Sequence, residues 1–478
     1  MENFNTYLKT LGEYGIVTDV NGSIALVEGL PGAKMHEMVV FEEGALGHII
    51  SVERTHCKTV IVSGAPPQAN ERVARTNRGL EIPIDETLVG TMVSPLNEGG
   101  VGELYPLNGA LESIESRAKI DKQFHTGVIM VDLLIPLGAG QKELIIGNRK
   151  TGKTNLLLTT VKNQANEGKI IIMALIGKRK SEIQKINHFL QTEKLSQKVI
   201  LVVSAADDPD YLVYLTPYSA MTIAEFFKKK GIDTVVILDD LTTHAKVYRQ
   251  MSLLSGRFPG RESYPGDMFY EHARLLERAG NFHTSQGKTT SITCLPVAES
   301  IGGDLSGHVT TNLMGITDGH IFFDSSLFEK GKRPAINLFL SVTRVGRQTQ
   351  QKLTKDINQK VTTFLAEYES LQNLAHFGAE LSHELQNKIQ KGARLSEIFE
   401  QDFNTAVDET TQLVLIGLVW GDLFNELPVA DIQKKLMEKC SLLISVCKPE
   451  KIQFFETIEQ LVGELQGQKE EIGKMIRL

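Results

Sequence analysis

Eight consecutive residues, Gly147-Asn148-Arg149-Lys150-Thr151-Gly152-Lys153-Thr154, have the spacing G-x-x-x-x-G-K-[ST]. Glycines at these positions let the backbone curl until successive N–H groups converge on phosphate oxygens, and a helix starting there adds its positive end. In that geometry Lys153 suits β and γ phosphates, and the Thr154 hydroxyl suits Mg²⁺. An apolar run, "KELII", enters the loop and "TNLLLTTV" leaves it, the strand and helix that a chance match in a glycine-rich turn would lack. A second constellation is "DTVVILDDL", residues 233–241, an apolar strand ending in two carboxylates. Asp239 at the strand tip has the usual placement for a Mg²⁺ ligand, directly or through water, and an aspartate there equally suits the N-cap of the next helix, so each of the pair has a use. A third is "LFLSVTRVGRQTQ", residues 338–350, which leads to Arg344; taken alone, an arginine after a strand reads as a surface ion pair.

These groups need a scaffold, and the chain is long enough for one. Its 478 residues accommodate several domains. Residues 1–88 read as a small antiparallel β-barrel, because short Val/Ile-rich alternating pieces are broken by NG and PG, the dipeptides of tight turns. Over 89–351, fully apolar strands ("KELIIG", "KIIIMALIG", "KVILVVSA", "DTVVILDD", "TTSITCLPV", "HIFFD") alternate with helical stretches. Strands buried on both faces between helices imply a mostly parallel P-loop α/β domain of the RecA-like kind. Over 352–478, apolar residues recur at helical spacing, which predicts a helical bundle. Lys and Arg total 51 against 58 Asp and Glu, a net charge of −7 that gives no global field for nucleic acid. The four cysteines are scattered, with no metal-ligand spacing, which fits a reduced compartment. No apolar run reaches the roughly 18–20 residues of a membrane span. The histidines, among them His36, His125, His244 and His308, are isolated in sequence and read as surface or satisfied core residues.

Together, "PLGAGQKELIIGNRKTGKT", "YRQMSLLSGRFPGRESYPGDMFYEHARLLERAG" and "TDGHIFFDSSLFEKGKRPAINLFLSVTRVG", with flanking segments over nearly the whole chain, resemble the alpha subunits of F-type ATP synthases. The resemblance implies a ring of alternating alpha and beta subunits around the central stalk, the gamma subunit, with nucleotide sites at each interface and catalysis mainly on beta. "GNRKTGKT" is similar to alpha's "GDRQTGKT" and unlike beta's "GGAGVGKT". Where beta has the glutamate of "GER" that activates water, and alpha usually a glutamine, this chain has Lys178 in "LIGKRKSE". A protonated lysine neither orients nor deprotonates water. The resemblance therefore implies a site that holds ATP or ADP with Mg²⁺ and does not turn it over, with Lys178 and Lys150 adding positive charge near the phosphates. A solvated lysine in the basic run "GKRKSEIQK" is the other reading of Lys178, and it restores no carboxylate.

By the same resemblance, "SVTRVG" matches alpha's "SVSRVG", so Arg344 is the arginine finger that reaches the beta site. "SSLFEKGKRPAI" places Phe328 and Arg333 against the purine, and Gln401 matches one of two pocket glutamines, Phe403 replacing the other. Only "MENFNTYLKTLGEYG" precedes the first strand, where the family commonly has a longer amphipathic helix that docks on the delta subunit, so delta and stator attachment departs from the pattern. The implied setting is the cytoplasmic side of a bacterial plasma membrane, as a peripheral part of a proton- or sodium-transporting two-sector ATPase. A dedicated ATP-hydrolysing motor of the same build is an alternative. An autonomous homo-hexameric P-loop ATPase needs its own catalytic glutamate, which position 178 denies. A paralogue that binds no nucleotide is opposed by the intact Gly147, Lys153, Thr154 and Asp239.

Overall fold

A computed structural model describes residues 3–423 except 110, 257, 259, 285, 286, 301 and 377–381, together with 429, 449–452, 454–469 and 472. Cys440, Cys447 and the end of the expected last helix lie outside these residues. The chain divides into two compact units, each assembled from separate stretches: Met1–Ala118, Gly168–Glu299 and Leu305–Thr317 in the first, Lys119–Glu167, Ser300–Asp304 and Asp318–Leu478 in the second.

The first unit begins with the expected barrel. Strands β1 (Tyr14–Asn21), β2 (Ile24–Glu28), β3 (Glu37–Phe41), β4 (Leu46–Val52), β5 (His56–Ser63) and β6 (Arg72–Gly79) close in the order β1-β2-β5-β4-β3-β6, antiparallel throughout. Alternation turns Val17, Val27, Val39, Phe41, Ile49, Cys57 and Val73 into one apolar core. The NG turn places Gly22 at φ 60°. The PG turn serves a different need: a Cβ on Gly32 would lie 2.0 Å from Arg75 Nη1. That guanidinium is buried and ties three segments together, donating to Glu37 Oε1 at 3.1 Å and to Glu13 Oε2 at 2.8 Å. The stretch before the first strand forms a short helix, α1 (Phe4–Leu11), capped by Asn3 and packed through Phe4 and Tyr7 onto Val40 and Ala74 of the barrel wall.

The rest of this unit is a parallel sheet with strand order Val199–Ala205, Ile170–Lys178, Thr234–Asp239, Thr289–Glu299. The strands are buried along almost their whole length, as their unbroken apolar sequences require. Against them lies the helix Asp210–Lys229, whose neighbour is Leu241–Leu254. An aromatic and histidine cluster fills this region. Tyr214 stacks on His244 and Tyr248 with ring centroids 5.2 and 5.6 Å apart, and His244 Nδ1 is 3.2 Å from His272 Nε2. The hydroxyls of Tyr214 and Tyr218 donate to Glu271 Oε2 at 2.9 and 2.6 Å.

The second unit holds parallel strands Glu143–Gly147 and Gly319–Phe323, with Val342–Thr343 antiparallel beside the latter. The loop-following helix, Lys153–Asn166, and the helices Lys352–His376, His383–Ile398, Glu409–Trp420 and Ile458–Gly467 complete it, giving the helical C-terminal region. Gly417 permits close helix approach there, since a Cβ would lie 2.8 Å from Leu465 Cδ1. Asn358 binds the Leu133 and Leu134 carbonyls at 2.7 and 3.1 Å, satisfying the end of the short helix Ile129–Leu134. Among the described residues no helix is long and apolar enough to cross a membrane.

The buried histidines set an acid limit on the first unit. Burial holds His244 down to about 4 and His272 to about 3, from an ordinary value near 6.5. In the unfolded chain both take up protons as pH falls through about 6.5, whereas in the folded chain they refuse them until about 4 or below. Stability therefore falls with decreasing pH across that window, by up to about 1.4 kcal/mol per pH unit for each histidine. We expect the midpoint of chemical unfolding to drop between pH 6.5 and 4, and His272→Gln to make the drop shallower; an unchanged slope in the variant overturns the assignment.

Candidate nucleotide site

The phosphate loop grows out of the second unit's sheet. "ELIIG" is buried on both faces and pairs in parallel register with Gly319–Phe323, Gly147 lying opposite Phe323. A Cβ on Gly147 would come within 2.5 Å of the Phe323 carbonyl oxygen, so only glycine lets the chain turn away there. The loop then passes Lys150 at φ 62° and Gly152 at φ 101° before the helix Lys153–Asn166 begins. Lys153 is buried, and its ammonium donates to the Gly147 and Asn148 carbonyls at 2.7 and 2.6 Å. Thr151 Oγ1 also donates to the Asn148 carbonyl, at 2.8 Å, while Arg149, Lys150 and Thr154 are exposed.

Asn148 joins this loop to the segment expected to meet a purine. Its Nδ2 donates to Ser325 Oγ at 2.6 Å, and its Oδ1 accepts from Ser300 Oγ and Gly303 N at 3.2 and 3.0 Å. Ser325 opens the short helix Ser325–Glu329, which carries Phe328. The Arg333 guanidinium carbon lies 3.5 Å from the centre of the Phe328 ring, and Nη1 donates to the Phe328 carbonyl at 2.8 Å. Gln401 comes to the same place, its backbone N donating to the Arg333 carbonyl at 2.7 Å. Its side-chain amide is bonded to main chain: Oε1 accepts from Ile129 N at 3.0 Å, and Nε2 donates to the Gly127 carbonyl at 2.7 Å and to the Thr405 carbonyl. Both amide hydrogens are thus in use, which leaves a lone pair on Oε1 for any further partner. Phe403, two residues on, is half exposed.

Arg344 follows the strand Val342–Thr343 and has an exposed side chain, while its main-chain N donates to the Asp318 carbonyl at 3.0 Å. Its charge acts on two buried groups that no sequence motif singles out. Burial drives the Glu143 carboxyl well above its usual range, with Arg344 pulling the other way. Burial also lowers His320, and Arg344 adds to that effect. Glu143 accepts from Gln141 Nε2 at 2.7 Å. A glutamate at the head of an apolar strand gives no sequence signal of its own, since only the fold shows how deeply it is buried.

The first unit brings its own pair together. Ile170–Lys178 runs parallel to Thr234–Asp239 with Leu175 opposite Asp239, and Lys178 lies three residues further on. From there its ammonium reaches Asp239 Oδ1 at 2.8 Å and Asp240 Oδ2 at 3.4 Å. Burial opposes the charge on Lys178, but the two carboxylates prevail and raise its pKa above the ordinary value. The lysine is therefore an ion-paired, mostly buried group, and the reading of it as a solvated cation does not hold. Asp240 caps the helix Leu241–Leu254, accepting from Thr243 N at 2.7 Å, which is the N-cap half of the expected pair.

Comparison with known proteins agrees with these features. Residues 127–343 match the profile described as ATP synthase alpha/beta family, nucleotide-binding domain, and residues 350–477 match ATP synthase alpha/beta chain, C terminal domain. The chain is similar to ATP synthase subunit alpha of Anaplasma marginale (strain Florida), 39% identical over 453 residues, 91% of this chain and 88% of that one. It is also similar to the subunit of the same name from Staphylococcus aureus (strain bovine RF122 / ET3-1), 37% identical over 442 residues with the same coverage.

The Lys178 ion pair has a measurable cost of removal. Lys178→Met removes the ammonium that neutralises two adjacent buried carboxylates, and we expect a loss of about 3–5 kcal/mol in unfolding free energy. Adding Asp239→Asn should recover a large part of it; additive losses in the double variant would show that the pair is not coupled.

Proposed function

Because the chain belongs to the ATP synthase alpha/beta family, we propose that it is the non-catalytic, nucleotide-binding alpha subunit of a rotary F-type ATP synthase, alternating with beta subunits in a ring around gamma. The observation that carries the non-catalytic part is the group at the tip of Ile170–Lys178: an ammonium locked onto Asp239 and Asp240, where cleavage requires a carboxylate. An ammonium with raised pKa stays protonated at neutral pH and accepts no proton from water.

In this reading the exposed loop cations Arg149 and Lys150 and the backbone N–H groups of Thr151, Gly152 and Lys153 receive the phosphates of ATP or ADP. Phe328 and Arg333 hold the purine by stacking and cation-to-ring contact, with Gln401 supporting them from behind through its backbone bonds. The side-chain oxygen of Thr154, exposed at the start of its helix, fits a hard divalent cation, and Asp239 would share Mg²⁺ through water, its carboxylate also bonded to Lys178. When bound, Mg²⁺ would neutralise phosphate charge. Lys178 supplies a second positive charge on the same aspartate, so nucleotide retention is expected to depend less steeply on Mg²⁺ than with a glutamine there.

Arg344 is the part of this chain proposed to act in chemistry, reaching in trans to the beta site to stabilise charge on the transferring phosphoryl group. Its exposed side chain at the end of a strand supports that role. The division into 1–88, 89–351 and 352–478 is proposed as the functional one, supported by the closed barrel and by the two profile matches. The complex would sit peripherally on the cytoplasmic side of a bacterial plasma membrane, coupled to protons or sodium. Helix α1 lies on the barrel wall, and any attachment to delta and the stator would use a surface that includes it.

Two measurements test this. The isolated chain should bind ATP with Mg²⁺ and show no hydrolysis above background; robust hydrolysis by the chain alone overturns the reading, and failure to bind favours a purely structural subunit. In the assembled ring, Arg344→Ala should leave assembly and nucleotide binding intact and lower steady-state turnover by about 10³-fold or more; near-normal turnover overturns the role in trans.

A further inference from the structure

The groups assigned to the purine all lie in the second unit, and they present faces to a base more than hydrogen-bonding edges. The Arg333 guanidinium is pinned through Nη1, which donates to the Phe328 carbonyl at 2.8 Å and to the Lys332 carbonyl at 2.7 Å. It is thereby held over the Phe328 ring, 3.5 Å from the ring centre, and both residues remain partly exposed. Guanidinium planes and aromatic rings are surfaces on which bases stack, and stacking tolerates any base because every base has a π-face. Gln401 is buried, and both hydrogens of its amide go to the Gly127 and Thr405 carbonyls. The lone pair left on its Oε1, beside the bond from Ile129 N, is an acceptor alone, which suits the amino group of adenine and the N1–H of guanine or hypoxanthine alike. Phe403, two residues on and half exposed, adds a ring and no side-chain hydrogen-bonding group.

Adenine and the 6-oxopurines share their two-ring face and the N7 acceptor, and differ at one edge, where adenine carries an amino donor and guanine or hypoxanthine an oxygen acceptor. A site that reads such an edge by hydrogen bonds rejects the wrong base by about 10⁴-fold, because its own buried polar groups are left unpaired, whereas a site that presents faces has no such lever. Resting on the reading of Phe328, Arg333 and the segment 401–403 as the purine side of the nucleotide site, we propose that this site recognises its base by face and not by edge, and takes the 6-oxopurine nucleotides GTP and ITP as well as ATP. Phe403 is the specificity-determining residue, its ring standing where an amide would distinguish the two classes.

Calorimetric titration of the full chain with Mg-ATP, Mg-GTP and Mg-ITP tests this. The three dissociation constants should agree within about fivefold; a preference for ATP beyond that overturns the proposal and leaves the nucleotide reading standing. Phe403→Gln, a change at a half-exposed position, supplies an amide able to pair with N6 and N7 of adenine, and should move the ATP-to-GTP affinity ratio toward ATP by about fivefold or more. An unchanged ratio in that variant overturns the role given to Phe403. Gln401→Met should weaken ATP and GTP by the same factor, and a shifted ratio there would show that the amide reads the base, against the proposal. Binding of none of the three nucleotides overturns the nucleotide reading and the proposal together.

Discussion

A parallel strand covered on both faces favours charged side chains only at its ends, because a charged group along its length would lose its water without gaining a partner. Much of the chemistry of this chain follows from that constraint. Thr234–Asp239 is buried along its whole length and delivers its carboxylate at the C-terminal tip. Ile170–Lys178 likewise ends in its lysine. In the second unit, Glu143–Gly147 releases the phosphate loop at its tip, and Gly319–Phe323 leads to Asp324, which caps the helix bearing Phe328. In each unit these groups thus collect at the C-terminal ends of the strands, the placement expected for ligand sites in open α/β sheets.

The constraint also explains why Lys178 does not behave as an ordinary surface cation. Two adjacent carboxylates at a buried strand end repel one another and have little water to share. An ammonium within 2.8 Å of one and 3.4 Å of the other relieves both effects. Under the proposed reading, electrostatic neutralisation and the lack of a water-activating carboxylate have one source, the ammonium that quiets the aspartates. Glu143 shows the converse. With a glutamine amide on one oxygen, its charge is opposed by burial and it is held toward the neutral acid.

Gln401, proposed for the purine pocket, spends its side chain on main-chain bonds. Its amide ties the turn at Gly127–Ile129 to residues 401–405, and its backbone fixes Arg333, the residue that lies over Phe328. The Arg333–Phe328 pair is thereby positioned by main-chain hydrogen bonds.

Local chemistry was legible in the sequence by itself. Period-two alternation with NG and PG turns specifies a small barrel, unbroken apolar runs specify doubly covered strands, and the spacing from Gly147 to Thr154 specifies a phosphate loop, because each depends on residues near one another in the chain. What only the tertiary structure decided depends on residues far apart. Whether Lys178 is solvated or paired turns on the register between Ile170–Lys178 and a strand some sixty residues later, the span of its bond to Asp239. The clustering of His48, His244 and His272 with Tyr211 and Tyr214, and the deep burial of Glu143, have the same origin. Burial and pairing are properties of the assembled neighbourhood, and desolvation is what turns an isolated histidine, lysine or glutamate in a sequence into a group with altered chemistry.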